Sequence, residues 1–345
     1  MELNKSNKSN FWNIHTLNDF EPIAFLKKVH SSEITSICFL KDGRIASLGL
    51  FDSVLLIYNK ITYKIEIEIK ENNAIYDMNV TRDGLLITCL RTFVNLYEIN
   101  GKVYKNIQII KPHGFLMNII TNYNGFFSIK KFIELKNGDL VFFFWGYGIL
   151  FYRKKKNSEI YSYFDEYKEP LIKEKHITDL VEIDNNEIII AFNLDTTIQF
   201  LNMKSKKKTK TIKCNFCLSY SKNKMFLMNK NDLFILGIKS EIFILDIQKK
   251  EIIKEIELEF MLSSMYKLSD NILLAGYWCN YIEQLEYDEI KKEIKAISKT
   301  SKKNFKKIEC YETSSIAILK NNLIVAPFDN SKEGGSLIIY KYKYH

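Results

Sequence analysis

The sequence predicts an all-β fold assembled from seven copies of one four-stranded unit, and three regularities predict it. The first is a tight turn that recurs at Gly43, Gly84, Gly138, Asn186, Asn231, Asn271 and Asn322, at intervals of 40 to 54 residues. A four-stranded repeat takes about 40–45 residues, and longer loops account for the excess. The second is the dense apolar run after each turn: RIASLG, LLITCL, LVFFF, EIIIAF, LFILG, ILLAG and LIVA. Strands covered on both faces read this way, as they must when small sheets stack side by side. The third is the strand that follows, which ends in an aromatic residue or Leu and then a polar one: VLLIYN, FVNLYE, GILFYR, TIQFLN, EIFILD, YIEQLE and SLIIYK.

In chain order, residues 1–19 are a polar arm with one aromatic pair, Phe11-Trp12, the composition of a frayed tail. Residues 20–345 read as a single array. Pro22 to Val29 alternates weakly and has no hairpin partner of its own. The first unit, His30 to Asn59, holds two apolar strands around Lys41-Asp42-Gly43, a second turn at Phe51-Asp52-Ser53, and a third strand ending in Tyr58-Asn59. Its fourth strand alternates strictly, Ile65, Ile67 and Ile69 against Glu66, Glu68 and Lys70, and the fifth unit does the same in KEIELE at 254–259. One face packs and the other meets water, which suits an outer strand and discourages edge-to-edge association. The last unit runs out of chain after its third strand, Ser336 to Tyr342. Each unit buries its apolar face on its neighbours, so repetition overrides the two domains that 345 residues would otherwise suggest.

His30, the Asp42-Gly43 turn, Ser47, Asp52 and the Tyr58-Asn59 close resemble one unit of the WD-repeat β-propeller family, with Tyr58 for the Trp and Asn59 for the Asp. The resemblance implies a seven-bladed β-propeller whose last blade is completed by residues 22–29, which removes the open edges of the array. It implies that His30, Ser47, Asp52 and Tyr58 form a hydrogen-bonded set with a structural role. In the fourth unit Asp195 keeps the turn position, but Ile190 replaces the Ser and no His stands at the matching offset. The other units have lost more. The fold survives such decay because apolar stacking supplies most of the stability.

The chain is 46% hydrophobic, 26% charged and 14% aromatic, which is globular. Its cysteines, Cys38, Cys89, Cys214, Cys217, Cys279 and Cys310, are scattered through apolar segments, the usage of a reducing compartment. The first residues, MELNKSNKSN, lack an apolar signal core, and the run Leu140 to Tyr152 is too short to span a bilayer as a helix. The expectation is a cytoplasmic or nuclear protein without membrane insertion. Net charge is +9, yet only Arg44, Arg82, Arg91 and Arg153 are Arg; the rest of the basic residues are Lys. Lys is a solvated point charge, whereas phosphate recognition favours the planar fork of Arg.

Cys214-Asn-Phe-Cys217 is the only Cys-x-x-Cys, has no second pair, and places its residues on opposite faces of a strand, so no metal is expected. The five histidines, His15, His30, His113, His176 and His345, stand in no catalytic or metal-binding spacing, and no phosphate loop or nucleophile elbow occurs. No cofactor and no enzymatic activity are expected. Lysines cluster at Lys154, Lys155 and Lys156, at Lys204 to Lys210 with Lys206, Lys207 and Lys208 at its centre, at Lys249-Lys250, and from Lys291 to Lys307. The first three clusters follow third strands and would share one rim. They read either as solvated turns or as a rim for RNA, DNA or anionic lipid.

The opposite rim carries the second turns and the connections between units, where the family resemblance implies partner binding. It is aromatic: Phe51, Trp145, Tyr147, Tyr277, Trp278 and Tyr281 fall in or beside those turns. The longest connection, Lys111 to Phe127, adds Phe115 and Met117, and Arg91, Asp195 and Glu333 supply charge. Aromatic and Met side chains rimmed by charge are the composition of interface hot spots, although some of these rings could pack inward between blades. The function expected is therefore a protein-binding scaffold or adaptor within a larger complex. The alternative is a polyanion-binding protein that works through its lysines.

Overall fold

The structure is a computed structural model that describes residues 20–49, 51–90, 93–111, 129–144, 148–155, 160–167, 177–184, 186–192, 196–218, 224–277, 282–297, 317–318, 323–330 and 334–342. They form seven four-stranded antiparallel sheets, the blades of a β-propeller. Strand β1 (Phe20–Leu26) precedes the first blade. Blade 1 is β2 (Ile34–Phe39), β3 (Ile45–Gly49), β4 (Val54–Tyr58) and β5 (Ile65–Lys70). Blade 2 is β6 (Ile75–Val80), β7 (Leu86–Leu90), β8 (Val94–Asn100) and β9 (Val103–Ile110). Blade 3 is β10 (Ile129–Glu134), β11 (Leu140–Phe144), β12 (Gly148–Lys154) and β13 (Tyr161–Tyr167). Blade 4 is β14 (Ile177–Asp184), β15 (Glu187–Phe192), β16 (Thr197–Asn202) and β17 (Lys207–Lys213). Blade 5 is β18 (Met225–Leu227), β19 (Asp232–Leu236), β20 (Glu241–Asp246) and β21 (Glu251–Glu257). Blade 6 is β22 (Leu262–Lys267), β23 (Ile272–Tyr277), β24 (Ile282–Asp288) and β25 (Glu293–Ala296). Blade 7 is β26 (Ala317–Ile318), β27 (Leu323–Asn330) and β28 (Gly334–Tyr342).

The core lies between blades rather than within them, and the second strands show why their sequences are continuously apolar. In β15, Ile188 and Ile190 pack towards blade 3, while Ile189 and Ala191 pack towards blade 5. In β7, Leu86 and Leu90 face blade 1, and Ile87 and Cys89 face blade 3. Successive side chains point to opposite faces, and both faces are covered. Outer strands are more open, β17 being exposed at every residue but Ile212, and the strand expected at 254–259 begins earlier, at Glu251.

The ring closes where β1 pairs antiparallel with β28, from Phe20 opposite Tyr342 to Leu26 opposite Leu337. The strand starts earlier and ends earlier than the expected segment 22–29, because the chain turns at Lys27-Lys28, where Lys28 has φ 52°. The seam continues beyond the strand: His30 N donates to Gly335 O at 3.2 Å, and Gly335 N donates to the carbonyls of His30 and Ser32 at 3.1 and 3.0 Å.

Two irregularities recur. A bulge at the start of the first strand follows Ile34, Ile75, Ile129, Ile177 and Leu262. It sets Ser36, Asp77, Lys131, Asp179 and Ser264 at one equivalent position. The turn between third and fourth strands is also copied: the side chains of Asn59, Asn202, Asp246 and Asp288 each accept from the amides two and three residues on, at 2.8 to 3.1 Å. The residue four positions on, Tyr63, Lys206, Lys250 or Lys292, then takes φ of 54–55°. Such side-chain-to-backbone turns are what Asn and Asp favour.

Candidate functional site

His30 lies in the connection entering blade 1, Ser47 on β3, Tyr58 on β4 and Asp52 in the turn between β3 and β4; the fold brings all four together. His30 Nδ1 is 3.0 Å from Asp52 Oδ2, His30 Nε2 is 2.7 Å from Ser47 Oγ, and Ser47 Oγ is 2.9 Å from Tyr58 Oη. An ionised carboxylate can only accept, so Nδ1 donates to Asp52; when the ring is neutral, Nε2 accepts from Ser47 and Ser47 accepts from Tyr58. Asp52 also accepts from the amides of Ser31 at 3.2 Å and Val54 at 3.1 Å. Burial would raise its pKa, but His30 and those two amides outweigh it and hold the carboxyl below its ordinary 3.8. His30, Ser47 and Tyr58 are buried, and burial pushes the Tyr58 phenol up. The set ties the Asp52 turn to the strands of the blade.

At the tip of that turn Phe51 is 77% exposed, its amide donating to Ser32 Oγ at 3.0 Å. A large apolar ring is thus displayed on a turn held from beneath by Asp52.

The second blade keeps the same device with different atoms, which the sequence reading does not anticipate. Glu71 stands seventeen residues before Thr88, as His30 stands before Ser47. Its carboxylate accepts from Asn95 Nδ2 at 2.9 and 3.0 Å, from Thr88 Oγ1 at 3.4 Å and from the Tyr97 hydroxyl. Glu71 N also donates to Ser53 O at 2.9 Å, which ties the blade 1 turn to blade 2. The signal available in sequence is the spacing, not the residue type.

The lysines divide into two groups. Lys206 lies in a turn, 3.1 Å from Asp165 of blade 3 and 3.5 Å above the Phe151 ring, and burial lowers its pKa. Lys250 meets Glu187 of blade 4 at 2.6 Å, above Phe200, and Lys292 meets Asp232 of blade 5 at 2.6 Å. Lys154, at the end of β12, pairs with Asp83 of blade 2. These cations bind the preceding blade. Lys207 and Lys208, by contrast, are exposed on outer strand β17, not on a rim turn, because β17 begins at Lys207. Lys155 is exposed in the turn after β12. Two arginines are likewise used internally: Arg44 pairs with Asp42 at 2.8 Å and donates to Gly101 O, and Arg82 reaches Glu134 at 3.6 Å and the Leu135 carbonyl.

Tyr277, expected on the aromatic rim, is interior. It ends β23, is 2% exposed, packs edge-on to Phe260 at 5.8 Å, and donates to Glu283 at 2.8 Å. The alternation of a fully covered strand places it between blades. Arg91, Phe115, Met117, Trp145, Tyr147, Asp195, Trp278, Tyr281 and Lys156 lie outside the described residues, as do 1–19. Cys214 is buried with its thiol pushed up to about 12, and Cys217 is exposed. Among the described residues no helix is long and apolar enough to cross a membrane.

Fold and site together define a seven-bladed β-propeller with a hydrogen-bond set in each of its first two blades. A chain in a crystal structure of a mitotic checkpoint complex is similar to it, with a TM-score of 0.66 at 10% identity, over 94% of this chain and 92% of that one. This likeness is one of fold alone. No protein-family model matches the sequence, and no curated protein matches it.

Proposed function

We propose that the protein is a non-enzymatic interaction module, a divergent WD-repeat propeller whose residues 20–345 work as one unit and dock protein partners on the rim bearing the second turns. The observation that carries this reading is Phe51: an aromatic side chain 77% exposed on a turn that a buried hydrogen-bond set immobilises. A ring carried on a backbone turn that is already ordered gives up less entropy on binding, which is what an interface anchor requires. Trp145, Tyr147, Trp278 and Tyr281 extend the same rim in this proposal, with Phe115 and Met117 from the long connection and Arg91 and Asp195 as its charges. The setting is the cytoplasm or nucleus, within a larger complex. The test is native affinity capture from the cell of origin, with and without nuclease. Replacing Phe51, Trp145 and Trp278 by Ala is expected to abolish capture of specific proteins; unchanged capture sinks the reading.

A second reading, polyanion binding, has one observation in its favour: Lys207, Lys208, Lys210 and Lys213 are all exposed on β17. Against it, Lys154, Lys206, Lys250 and Lys292 are already paired with carboxylates of neighbouring blades. Phosphate binding would weaken steeply as salt rises, whereas an aromatic anchor would not.

A further inference from the structure

Outer strands β17 and β21 carry opposite charge at matching positions. β17 reads KKTKTIK and has no acidic residue, whereas β21 reads EIIKEIE, with one Lys among three Glu. The two are copies in register. β17 runs from Lys207 opposite Asn202 to Lys213 opposite Thr197, and β21 from Glu251 opposite Asp246 to Glu257 opposite Glu241. Asn202 and Asp246 head the same recurring turn, so Lys207 and Glu251 stand at one level of the ring and Lys213 and Glu257 at another.

Lys207, Lys210, Lys213, Glu251, Glu255 and Glu257 are all exposed, and among the described residues their side chains have no ion-pair or hydrogen-bond partner. The other charges around them are engaged or withdrawn. Asp165 on the blade 3 side is held by Lys206 and Glu166 is half-buried; Glu187 is held by Lys250, and Asp246 faces Lys249 at 3.9 Å. Blades 4 and 5 pack directly on each other. A basic stripe and an acidic stripe therefore run side by side on the outer wall of the ring, each without a complement in its own molecule.

We propose that this wall is the contact between two copies of the chain, a two-fold dimer in which β17 of each lies along β21 of the other. A two-fold axis along the ring radius between blades 4 and 5 exchanges the two strands and reverses their direction. Lys207 then faces Glu257 of the second copy, Lys213 faces Glu251 and Ile212 faces Ile252, and symmetry repeats each contact. Lys210 meets Lys254, the one like pair, with Glu255 beside it. A second copy is the occupant because the complement of each strand stands in this same chain, at the level to which one rotation brings it. Charges that repel a strand of like sign admit one of opposite sign. These pairs lie between copies and add nothing to the fold of either. Blade 1 lies across the ring from blades 4 and 5, so both Phe51 turns stay free.

Sedimentation velocity of the full chain, over a concentration series reaching about 0.1 mM, should show twice the monomer mass at about 0.05 M NaCl and the monomer at about 0.5 M. The double variant Lys207→Glu with Lys213→Glu should stay monomeric at low salt, and so should Glu251→Lys with Glu257→Lys, because each sets like charges opposite one another. All four side chains are exposed, so both variants should melt where the wild-type monomer does. Mixed in equal amounts the two variants should form a heterodimer, one contact having its original signs and the other having them exchanged. Phe51→Ala should dimerise as the wild type does, which separates this wall from the rim. A monomer at low salt, a dimer indifferent to salt or to either reversal, a mixture that stays monomeric, or loss of the dimer with Phe51→Ala would each overturn the proposal.

Discussion

Glu71 holds in the second blade the place that His30 holds in the first, at the same seventeen-residue distance from its hydroxyl partner and in contact with the equivalent tyrosine. The two differ in what they ask of the blade. His30 passes one hydrogen bond along a line, whereas Glu71 gathers three donors on one carboxylate.

Glu71→Ala is therefore expected to leave the Tyr97 hydroxyl without its acceptor and Asn95 with only that hydroxyl, and to cost about 1–3 kcal/mol. Tyr97→Phe, which removes a donor rather than the acceptor, should cost less. Urea unfolding of the two variants checks the order.

The turn of blade 1 gives a pH dependence. The folded pKa of Asp52 is depressed below 3.8, so its contribution to stability is fully present above that value and is lost as pH falls through the folded pKa. The stability gap between the wild-type protein and Asp52→Asn should be constant near neutrality and close in acid below pH 3.8. A gap that widened on acidification would refute the assignment.

Lys206 and Lys207 are neighbours with opposite expectations. Lys206 sits over the Phe151 ring and against Asp165, so Lys206→Ala should cost about 1 kcal/mol. Lys207 is exposed on an outer strand, and Lys207→Ala should fall within about 0.5 kcal/mol of zero. Thermal denaturation of both, at two salt concentrations, separates a lysine that holds blades from one that is merely solvated.

The seam has its own test. A side chain at Gly335 would bring Cβ within 2.6 Å of Ser32 O and of Ile34 Cγ1, and one at Gly334, where φ is +84°, would collide with His30 O. Backbone atoms cannot step aside as a side-chain tip can. Gly335→Ala should lower the unfolding midpoint and make the β1 segment sensitive to proteolysis, while Gly101→Ala, with nothing within 4 Å but φ +58°, carries only local backbone strain.

The ring was legible because stacking imposes one pattern seven times: a turn, a predominantly apolar strand, and a third strand that ends in an aromatic residue or Leu before a polar one. What was not legible turns on single residues whose type changed while their place did not. Glu71 resembles no His, yet the distance to Thr88 marks it. Lys206 belongs to a run of lysines, and only the Asn202 turn before it shows where the run divides between a blade-holding position and a solvated strand. Tyr277 reads as part of a turn with Trp278, but strand β23 extends through it, and the covered face claims the ring.

Lys154, Lys206, Lys250 and Lys292 all reach back to the blade before their own. A chain emerging from its N-terminus therefore has each of blades 2 to 5 clamped only when the next has been made, and β1 finds its sheet only once β28 has followed. Assembly of this molecule is a sequence of retrospective fastenings, completed by a clasp between β1 and β28, two strands that the other blades separate along the chain.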